Sequence, residues 1–154
     1  MNNTFMRQAI QLAVENIKNG GGPFGAVIVK DGKVIATGVN RVTANNDPTA
    51  HAEVSAIRAA CKALGTFSLQ GCDIYSSCEP CPMCLGAIYW AHLDNLYYGA
   101  NKHDAAAAGF DDQFIYEELE QPIPSRRLTT KILLSDEAQE PFTLWKQHDE
   151  RTEY

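Results

Sequence analysis

The sequence predicts an α/β protein built as a three-layer α/β/α sandwich around a mixed sheet. Three observations support this fold class: helical and strand-like apolar patterns alternate along the 154 residues, 45% of the residues are hydrophobic, and no segment is repetitive or of low complexity. Alternating helices and strands are typical of a sheet with helices on both faces. At this length we expect a single domain, residues 1–154, whose core needs no disulfides.

The N-terminal half predicts a helix, a hairpin and a second helix. Apolar residues recur at helical spacing over residues 3–19, and a Gly-Gly-Gly-Pro sequence then ends the helix. The apolar runs 24–30 and 34–39 are separated by an Asp-Gly pair, which is typical of a β-hairpin turn. A proline precedes the second helix, over roughly residues 49–64, whose alanines form a packing face.

The C-terminal half continues the alternation of strands and helices. Two further strands and the helix between them are well marked, and the signal weakens beyond residue 100. The expected elements are strands 73–77, 95–100 and 128–134 and helices 80–91, 111–119 and 137–147.

The net charge and the cysteine content exclude some classes of function and favour others. The 13 basic and 19 acidic residues give a net charge of −6, which argues against a large polyanionic partner. Neither a signal core nor a run of membrane-spanning length is visible, so we expect a cytoplasmic protein without membrane partners. Three of the five cysteines, Cys78, Cys81 and Cys84, lie within seven residues. Clustered cysteines in a reducing compartment predict a metal or catalytic site.

Two short motifs carry metal-ligating and acid–base side chains. They are His51-Ala52-Glu53 and Pro80-Cys81-Pro82-Met83-Cys84, each near the start of a predicted helix. Residues three apart share one helical face, so the sulfurs of Cys81 and Cys84 project together, and a helix N-terminus favours thiolates. With His51 they form a His-Cys-Cys set, which leaves one tetrahedral position of a catalytic zinc for water. Glu53 then serves as a general acid–base beside that water.

A closed zinc site is the alternative. Cys78 would complete a Cys₃His set of a kind found in zinc-stabilised binding modules, which turn over no substrate. That arrangement gives Glu53 no role. We interpret Cys61 and Cys72 as small buried hydrophobic residues rather than ligands.

The two motifs match the H-x-E and P-C-x-x-C signature of zinc deaminases. The longer segments NDPTAHAE (46–53) and SCEPCPMCLGAIYW (77–90) resemble the purine-acting branch of the cytidine-deaminase superfamily, which includes guanine deaminases and tRNA adenosine deaminases. AGFDD (108–112) and the Glu-Tyr tail extend the resemblance to small bacterial guanine deaminases over nearly the whole chain. The resemblance implies a cytidine-deaminase-like fold with a five-stranded mixed sheet, its last two strands parallel, one Zn²⁺ per subunit and a homodimer.

The resemblance also implies roles for individual residues. It assigns zinc binding to His51, Cys81 and Cys84, proton transfer to Glu53, and a second catalytic role at the polar edge of the substrate to Asp112. The substrate contacts that it implies are Asn40, Phe24, Ala52, Trp90, Phe110 and Tyr154.

Several of these residues have structural alternatives. Asn40 is also suited to a turn after the hairpin, and Asp112 to capping the following helix. Trp90 and Phe24 are large enough to be core residues instead of substrate contacts.

The expected activity is hydrolytic deamination of guanine to xanthine and ammonia, with a small purine as partner and no nucleic acid. The rival within the same chemistry is tRNA adenosine deamination, for which Arg126, Arg127 and Lys131 form the one concentrated basic patch of the sequence. A Pro-Ile-Pro stretch at residues 122–124 is a possible hinge for exchange of the C-terminal segment between subunits.

Overall fold

Four strands form one mixed sheet in the computed structural model, which describes residues 3–154. They are β1 (Gly25–Lys30), β2 (Lys33–Val39), β3 (Cys72–Cys78) and β4 (Asn95–Ala100), in the spatial order β2–β1–β3–β4. Strand β1 pairs antiparallel with β2 and β3, whereas β3 and β4 run parallel. The predicted hairpin is confirmed, with Lys30 paired to Lys33 beside the turn.

Helices cover both faces of this sheet. They are α1 (Thr4–Lys18), α2 (Val42–Asn45), α3 (Ala52–Leu64), α4 (Pro82–Trp90) and α5 (Lys102–Ala107). Successive side chains of a strand point to opposite faces. Accordingly, Ala26 and Ile28 of β1 pack in one buried cluster with residues of α3 and α4, while Val27 and Val29 pack in another with Ala9 of α1. The three-layer arrangement is therefore confirmed for this part of the chain.

The chain divides into two units, Met1–Gln113 and Phe114–Tyr154. The sheet and helices α1 to α5 belong to the first unit. The regular elements that follow are α6 (Gln113–Glu120), two 3₁₀ turns (Ile123–Ser125 and Glu137–Gln139) and α7 (Glu140–Gln147). None of the residues 114–154 is buried, so the second unit has no core of its own.

The five-stranded sheet predicted from the sequence is wrong, because the structure has four strands. Residues 128–134, expected to be the fifth strand and parallel to its neighbour, are irregular, and Leu128, Ile132 and Leu133 are exposed. An apolar run favours extended backbone, but it becomes a strand only where a sheet edge accepts its hydrogen bonds. Within the described residues, this segment pairs with no strand.

A close approach at Gly38 fixes the start of α3 against the sheet. A Cβ at this position would lie 2.2 Å from the Ala52 carbonyl oxygen and 2.5 Å from the Ala56 nitrogen. Only glycine lets the backbones of β2 and α3 come this close. The first turn of α3 carries Glu53, and His51 immediately precedes it, so this contact determines where both side chains lie.

We expect Gly38→Ala to lower the free energy of unfolding by about 1–3 kcal/mol, because the added methyl group forces α3 away from the sheet. Thermal denaturation followed by circular dichroism should show a Tm lower by roughly 2–12 °C. The matched control is Gly86→Ala in α4, where a Cβ meets no atom within 4 Å. The control should leave Tm unchanged or slightly higher. Equal Tm values for the two variants would contradict the prediction.

Candidate active site

His51 is held at the N-terminus of α3 by the turn that precedes it. The carboxylate of Asp47 accepts hydrogen bonds from the backbone N–H of Thr49 at 2.9 Å and from its hydroxyl at 2.7 Å. The backbone N–H of Arg41 donates to the Ala50 carbonyl at 2.9 Å. His51 then adopts an extended N-cap conformation, which is why α3 begins at Ala52 and not at residue 49 as predicted.

The two predicted cysteine ligands occupy the first turn of α4. Cys81 is the N-cap residue, and its sulfur accepts from the backbone N–H of Cys84 at 3.5 Å. Pro82 occupies the first helical position, where its fixed φ favours helix initiation and no N–H is needed. The unpaired N–H groups at the start of a helix favour negative charge, so this turn stabilises the thiolates that a metal requires.

The three candidate ligand atoms fit one zinc ion. The Nδ1 atom of His51 lies 3.6 Å from the sulfur of Cys81 and 3.4 Å from that of Cys84. Ordinary zinc–sulfur and zinc–nitrogen bonds in tetrahedral geometry place such atoms about 3.6 Å apart. The three ligand atoms lie within 4.8 Å of one another, and they form the metal-binding group found among the described residues.

The charges of the three candidate ligands also favour a bound cation. Hydrogen bonding from Cys84 lowers the pKa of the Cys81 thiol to about 4, and the hydrogen bond with Cys81 raises the pKa of His51. The neighbouring Cys81 thiolate in turn raises the pKa of Cys84. Two thiolates at this distance repel each other, and a divalent cation between them removes that repulsion.

Glu53 is the buried carboxyl group beside the candidate ligands. It lies in the first turn of α3, is 6% exposed and lines the same cavity as His51 and Cys81. Burial raises the pKa of its carboxyl group. A carboxyl group with a raised pKa, placed beside a candidate metal site, is suited to accept a proton and return it, as a general acid–base must.

A cavity of about 510 Å³ opens onto these groups. Phe24 and Phe110 contribute apolar wall to it, with their rings in an edge-to-face contact at 5.0 Å between centroids. Asn40 and Asp112 provide polar groups, and partial burial raises the pKa of Asp112. Apolar walls with a few convergent polar groups are typical of sites for small molecules.

The side-chain amide of Asn40 has a defined orientation. Its Oδ1 atom accepts a hydrogen bond from the backbone N–H of Val42 at 3.2 Å. Because an N–H can donate only to oxygen here, this contact distinguishes the two ends of the amide. The Nδ2 group is therefore the end available as a donor to a molecule in the cavity.

Comparison with models of protein families shows which family this chain belongs to. The profile of the cytidine and deoxycytidylate deaminase zinc-binding region matches residues 1–100. The chain belongs to this family of deaminases. The matched residues include His51, Cys81 and Cys84, so the family's zinc-binding region and the metal-binding geometry coincide, and zinc is the cofactor of the deaminase.

Individual relatives of the deaminase resemble it over different shares of its length. Guanine deaminase of Bacillus subtilis is 54% identical over 152 residues, covering 98% of this chain and 97% of the relative, and its crystal structure superposes with a TM-score of 0.97. A tRNA-specific adenosine deaminase of Aquifex aeolicus is 33% identical over 138 residues, covering 88% and 87% of the two chains. Guanine deaminase from Nitrosomonas europaea is 35% identical with a TM-score of 0.69, covering 72% and 65%.

The structure places two of the predicted substrate contacts, Ala52 and Trp90, outside the cavity lining. Ala52 is fully buried, and its side chain belongs to the cluster between the sheet and the helices α3 and α4. Trp90 is 69% exposed at the end of α4. Tyr154 belongs to the second unit of the deaminase and is also exposed. The structure brings the other four predicted contacts together in one cavity with Glu53 and two of the metal ligands; these four are Phe24, Asn40, Phe110 and Asp112, and the two ligands are His51 and Cys81.

The cavity lining also contains residues that the sequence does not predict as site residues, among them Glu79, Lys102 and Cys78. Glu79 follows directly on β3 and precedes the cysteine ligands, which was a usable signal, whereas nothing in the sequence pattern distinguishes Lys102. Cys78 was considered only as a fourth ligand. Its thiol donates to the Asn101 carbonyl at 3.8 Å, and burial raises its pKa to about 11. Among the described residues, the group that could hold a metal ion consists of His51, Cys81 and Cys84, without Cys78, and this geometry favours the open three-ligand site.

Proposed function

We propose that this chain catalyses the hydrolytic deamination of guanine to xanthine and ammonia. The observation that carries the proposal is a buried carboxyl group, Glu53, in one cavity with an open His-Cys-Cys metal site and a second carboxyl group, Asp112. Full-length similarity to a guanine deaminase supports this substrate. The cavity is large enough for a purine, which presents hydrogen-bond donors and acceptors on one edge.

The cofactor and Glu53 divide the central chemistry. Zinc supplies Lewis-acid activation of the attacking water when it is bound. In the proposed mechanism, the Glu53 carboxylate accepts a proton from that water as its oxygen adds to C2 of the purine. Glu53 then delivers the proton to the ring nitrogen next to C2. The proton that remains on the added oxygen passes to the amino group, the bond from C2 to that group breaks as the C2 carbonyl forms, and ammonia leaves. The net change is guanine plus water to xanthine plus ammonia.

The remaining cavity residues orient the base. Phe24 and Phe110 provide apolar surface against the purine ring. The Nδ2 group of Asn40 donates to an acceptor of the base, such as its 6-oxo group, since Oδ1 is engaged by Val42. Asp112 accepts from N–H groups of the guanine edge and so positions the departing amine.

The test is a substrate panel with purified, zinc-loaded protein. The protein is incubated separately with guanine, guanosine, adenine, cytosine, cytidine and an anticodon stem-loop RNA. The products of each reaction are separated by chromatography. We expect xanthine and ammonia from guanine at the highest kcat/KM of the panel. Turnover of another substrate with none of guanine would overturn the proposed substrate and retain deaminase chemistry. Retention of zinc without turnover of any substrate would favour a binding module.

Asp112→Asn should lower kcat/KM for guanine about 10- to 100-fold, because a hydrogen bond to a charged acceptor is worth roughly 1.5–3 kcal/mol. The matched control is Asp111→Asn. Its carboxylate oxygen accepts from the Gln113 N–H at 2.9 Å, a role that the amide oxygen of asparagine also fills. Steady-state kinetics give kcat/KM for guanine in both variants, which differ only in which of two adjacent residues is changed. Equal losses in both would remove Asp112 from the substrate contacts.

Transfer RNA is a poorer candidate partner on two grounds. The net charge of −6 opposes binding of a polyanion. Two of the three basic residues that favoured RNA also have other contacts: Arg126 donates to the Glu118 carbonyl at 3.1 Å, and the Arg127 guanidinium lies 5.9 Å from the Phe114 ring centroid. The stem-loop RNA in the panel tests this alternative directly.

We also infer a homodimer in which the C-terminal segment is exchanged between subunits. Residues 114–154 bury none of their side chains and expose Phe142 and Leu144 in α7, so a second chain is a suitable partner for that surface. Tyr89 and Trp90 at the end of α4 are exposed as well.

Mixing two inactive variants tests the exchange. One variant carries Glu53→Gln and the other carries Tyr154→Ala, and both are mixed under conditions that allow subunits to re-associate. If the tail of one subunit completes the cavity of the other, a heterodimer contains one cavity with both natural residues, and part of the activity returns. A monomer by sedimentation, or a mixture with no recovery, would refute the exchange.

We place the protein in the cytoplasm. None of the five cysteines is in a disulfide, as expected in a reducing compartment. None of the helices in the described part of the chain has the length and apolar character needed to cross a bilayer. Fractionation of cells that express the protein, followed by immunoblotting, tests this location.

A further inference from the structure

We propose that Asn16 is a positioning residue that aligns the base-contacting groups of the cavity. The inference rests on the proposed function, because it takes Asn40 and Phe24 as substrate contacts. Asn16 lies in the last turns of α1 and is 6% exposed, although it is a polar residue. A buried amide is retained only where its hydrogen bonds are made.

The Asn16 amide joins two parts of the cavity wall that are distant in sequence. Its Nδ2 group donates to the Gly22 carbonyl at 2.8 Å and to the Asn40 carbonyl at 2.9 Å. Both hydrogens of the Asn16 side-chain amide are therefore engaged in hydrogen bonds. One bond holds the glycine-rich loop before β1, and the other holds the residue that follows β2.

Two backbone hydrogen bonds connect these contacts of Asn16 to both base-contacting residues. The backbone N–H of Phe24 donates to the same Gly22 carbonyl at 2.8 Å. The backbone N–H of Asn40 donates to the Phe24 carbonyl at 3.3 Å. Asn16 is therefore at the centre of a short network that fixes the backbone beneath the Phe24 ring and the Asn40 amide.

The packing around Asn16 leaves its amide little room to move. A Cβ at Gly21 would lie 2.4 Å from the Asn16 Nδ2 atom, and a Cβ at Gly22 would lie 3.2 Å from Cγ of Asn40. The Gly21 N–H also donates to the Asn16 backbone carbonyl at 2.8 Å. The absence of side chains at both glycines lets the loop lie directly on the two asparagines.

No other small side chain supplies the same contacts. An aspartate at position 16 would place an acceptor-only carboxylate against two carbonyl oxygens, and an alanine would leave the Asn40 carbonyl without this donor. The geometry thus gives Asn16 a role through Asn40 and Phe24, with no contact to the reacting atoms. Loss of Asn16 should weaken binding of the base while leaving zinc in place.

A double-mutant cycle with Asn40 tests the inference. We expect Asn16→Ala to raise KM for guanine about tenfold with kcat within twofold and with one zinc per chain, as for the loss of about one net hydrogen bond. In an Asn40→Ala background, the same substitution should change kcat/KM by about threefold at most, because one of the two side chains through which Asn16 acts no longer contacts the base. The control is Asn19→Ala, an exposed residue just after α1, which should behave as the natural protein.

The outcomes separate this inference from the proposed function. If Asn40→Ala alone leaves guanine kinetics unchanged, the proposed substrate contact fails. If Asn40→Ala is impaired but Asn16→Ala keeps a natural KM, or if the two losses multiply, the positioning role of Asn16 is overturned. Should Asn16→Ala not fold, Asn16→Ser, which keeps one donor, takes its place in the same cycle and is judged by the same criteria.

Discussion

Replacing Glu53 by glutamine is expected to reduce kcat for guanine about 1000-fold. The amide keeps the shape of the side chain but neither accepts a proton from water nor delivers one to the purine ring at neutral pH. Because Glu53 is not among the three candidate ligands, the variant should still contain one zinc per chain. Absorbance at a wavelength that distinguishes guanine from xanthine measures the rate, and elemental analysis measures the metal.

The control for this prediction is Glu15→Gln. Glu15 is an exposed carboxylate of α1 that accepts a hydrogen bond from the side chain of Gln11 at 3.0 Å, an interaction of small energetic weight at the surface. This variant should keep the natural kcat. A Glu53→Gln protein with full zinc content and an unchanged rate would show that the proton transfers take place elsewhere.

Replacing Cys84 by serine is expected to abolish stable zinc binding. A serine hydroxyl is a far weaker zinc ligand than a thiolate, and two ligands remain from the set of three. We expect the zinc content to fall below one tenth of a metal ion per chain after dialysis, with loss of guanine turnover. Bound zinc stabilises the folded state by mass action, so chelator should lower the Tm of the natural protein and leave that of the variant nearly unchanged.

Cys61→Ser provides the matched control for the metal prediction. Cys61 lies on α3, is half-buried and packs against the buried cluster between the sheet and α3 and α4. The same chemical change there should leave one zinc per chain. If Cys84→Ser retained zinc with unaltered affinity, or if Cys61→Ser lost it, the assignment of ligands from the structure would be wrong.

The metal site and most of the fold were predictable because the relevant signals are local. A His two residues before a Glu, and two Cys three residues apart, have their geometry set within one helical turn. The hairpin around Asp31-Gly32 and the alternating sides of β1 follow in the same way from short-range sequence patterns. That His51 meets Cys81 and Cys84 does not follow from local geometry; the match of the two motifs to the zinc-deaminase signature supplies that part of the prediction.

The parts that were not predictable depend on contacts between distant segments. Residues 128–134 have a strand-like composition, but composition does not specify an edge to pair with, and the structure leaves them out of the sheet. The cavity position of Lys102 follows from the path of the chain after β4, which no periodicity reports. The role inferred for Asn16 arises where α1 meets the residues flanking β1 and β2, and a single asparagine in an amphipathic helix gives no sign of it.

The hairpin has a consequence for how this chain tolerates insertions. Gly25 pairs with Val39 at its open end, next to Phe24 and Asn40, whereas Asp31 and Gly32 form the turn at the opposite end. A register irregularity lies between Ile28 and Val29, on the turn side of the strands. Extra residues inserted at Asp31-Gly32 would extend the hairpin outward and leave the pairing at the open end unchanged. The turn is therefore a rational attachment point for an affinity tag or a fluorescent reporter.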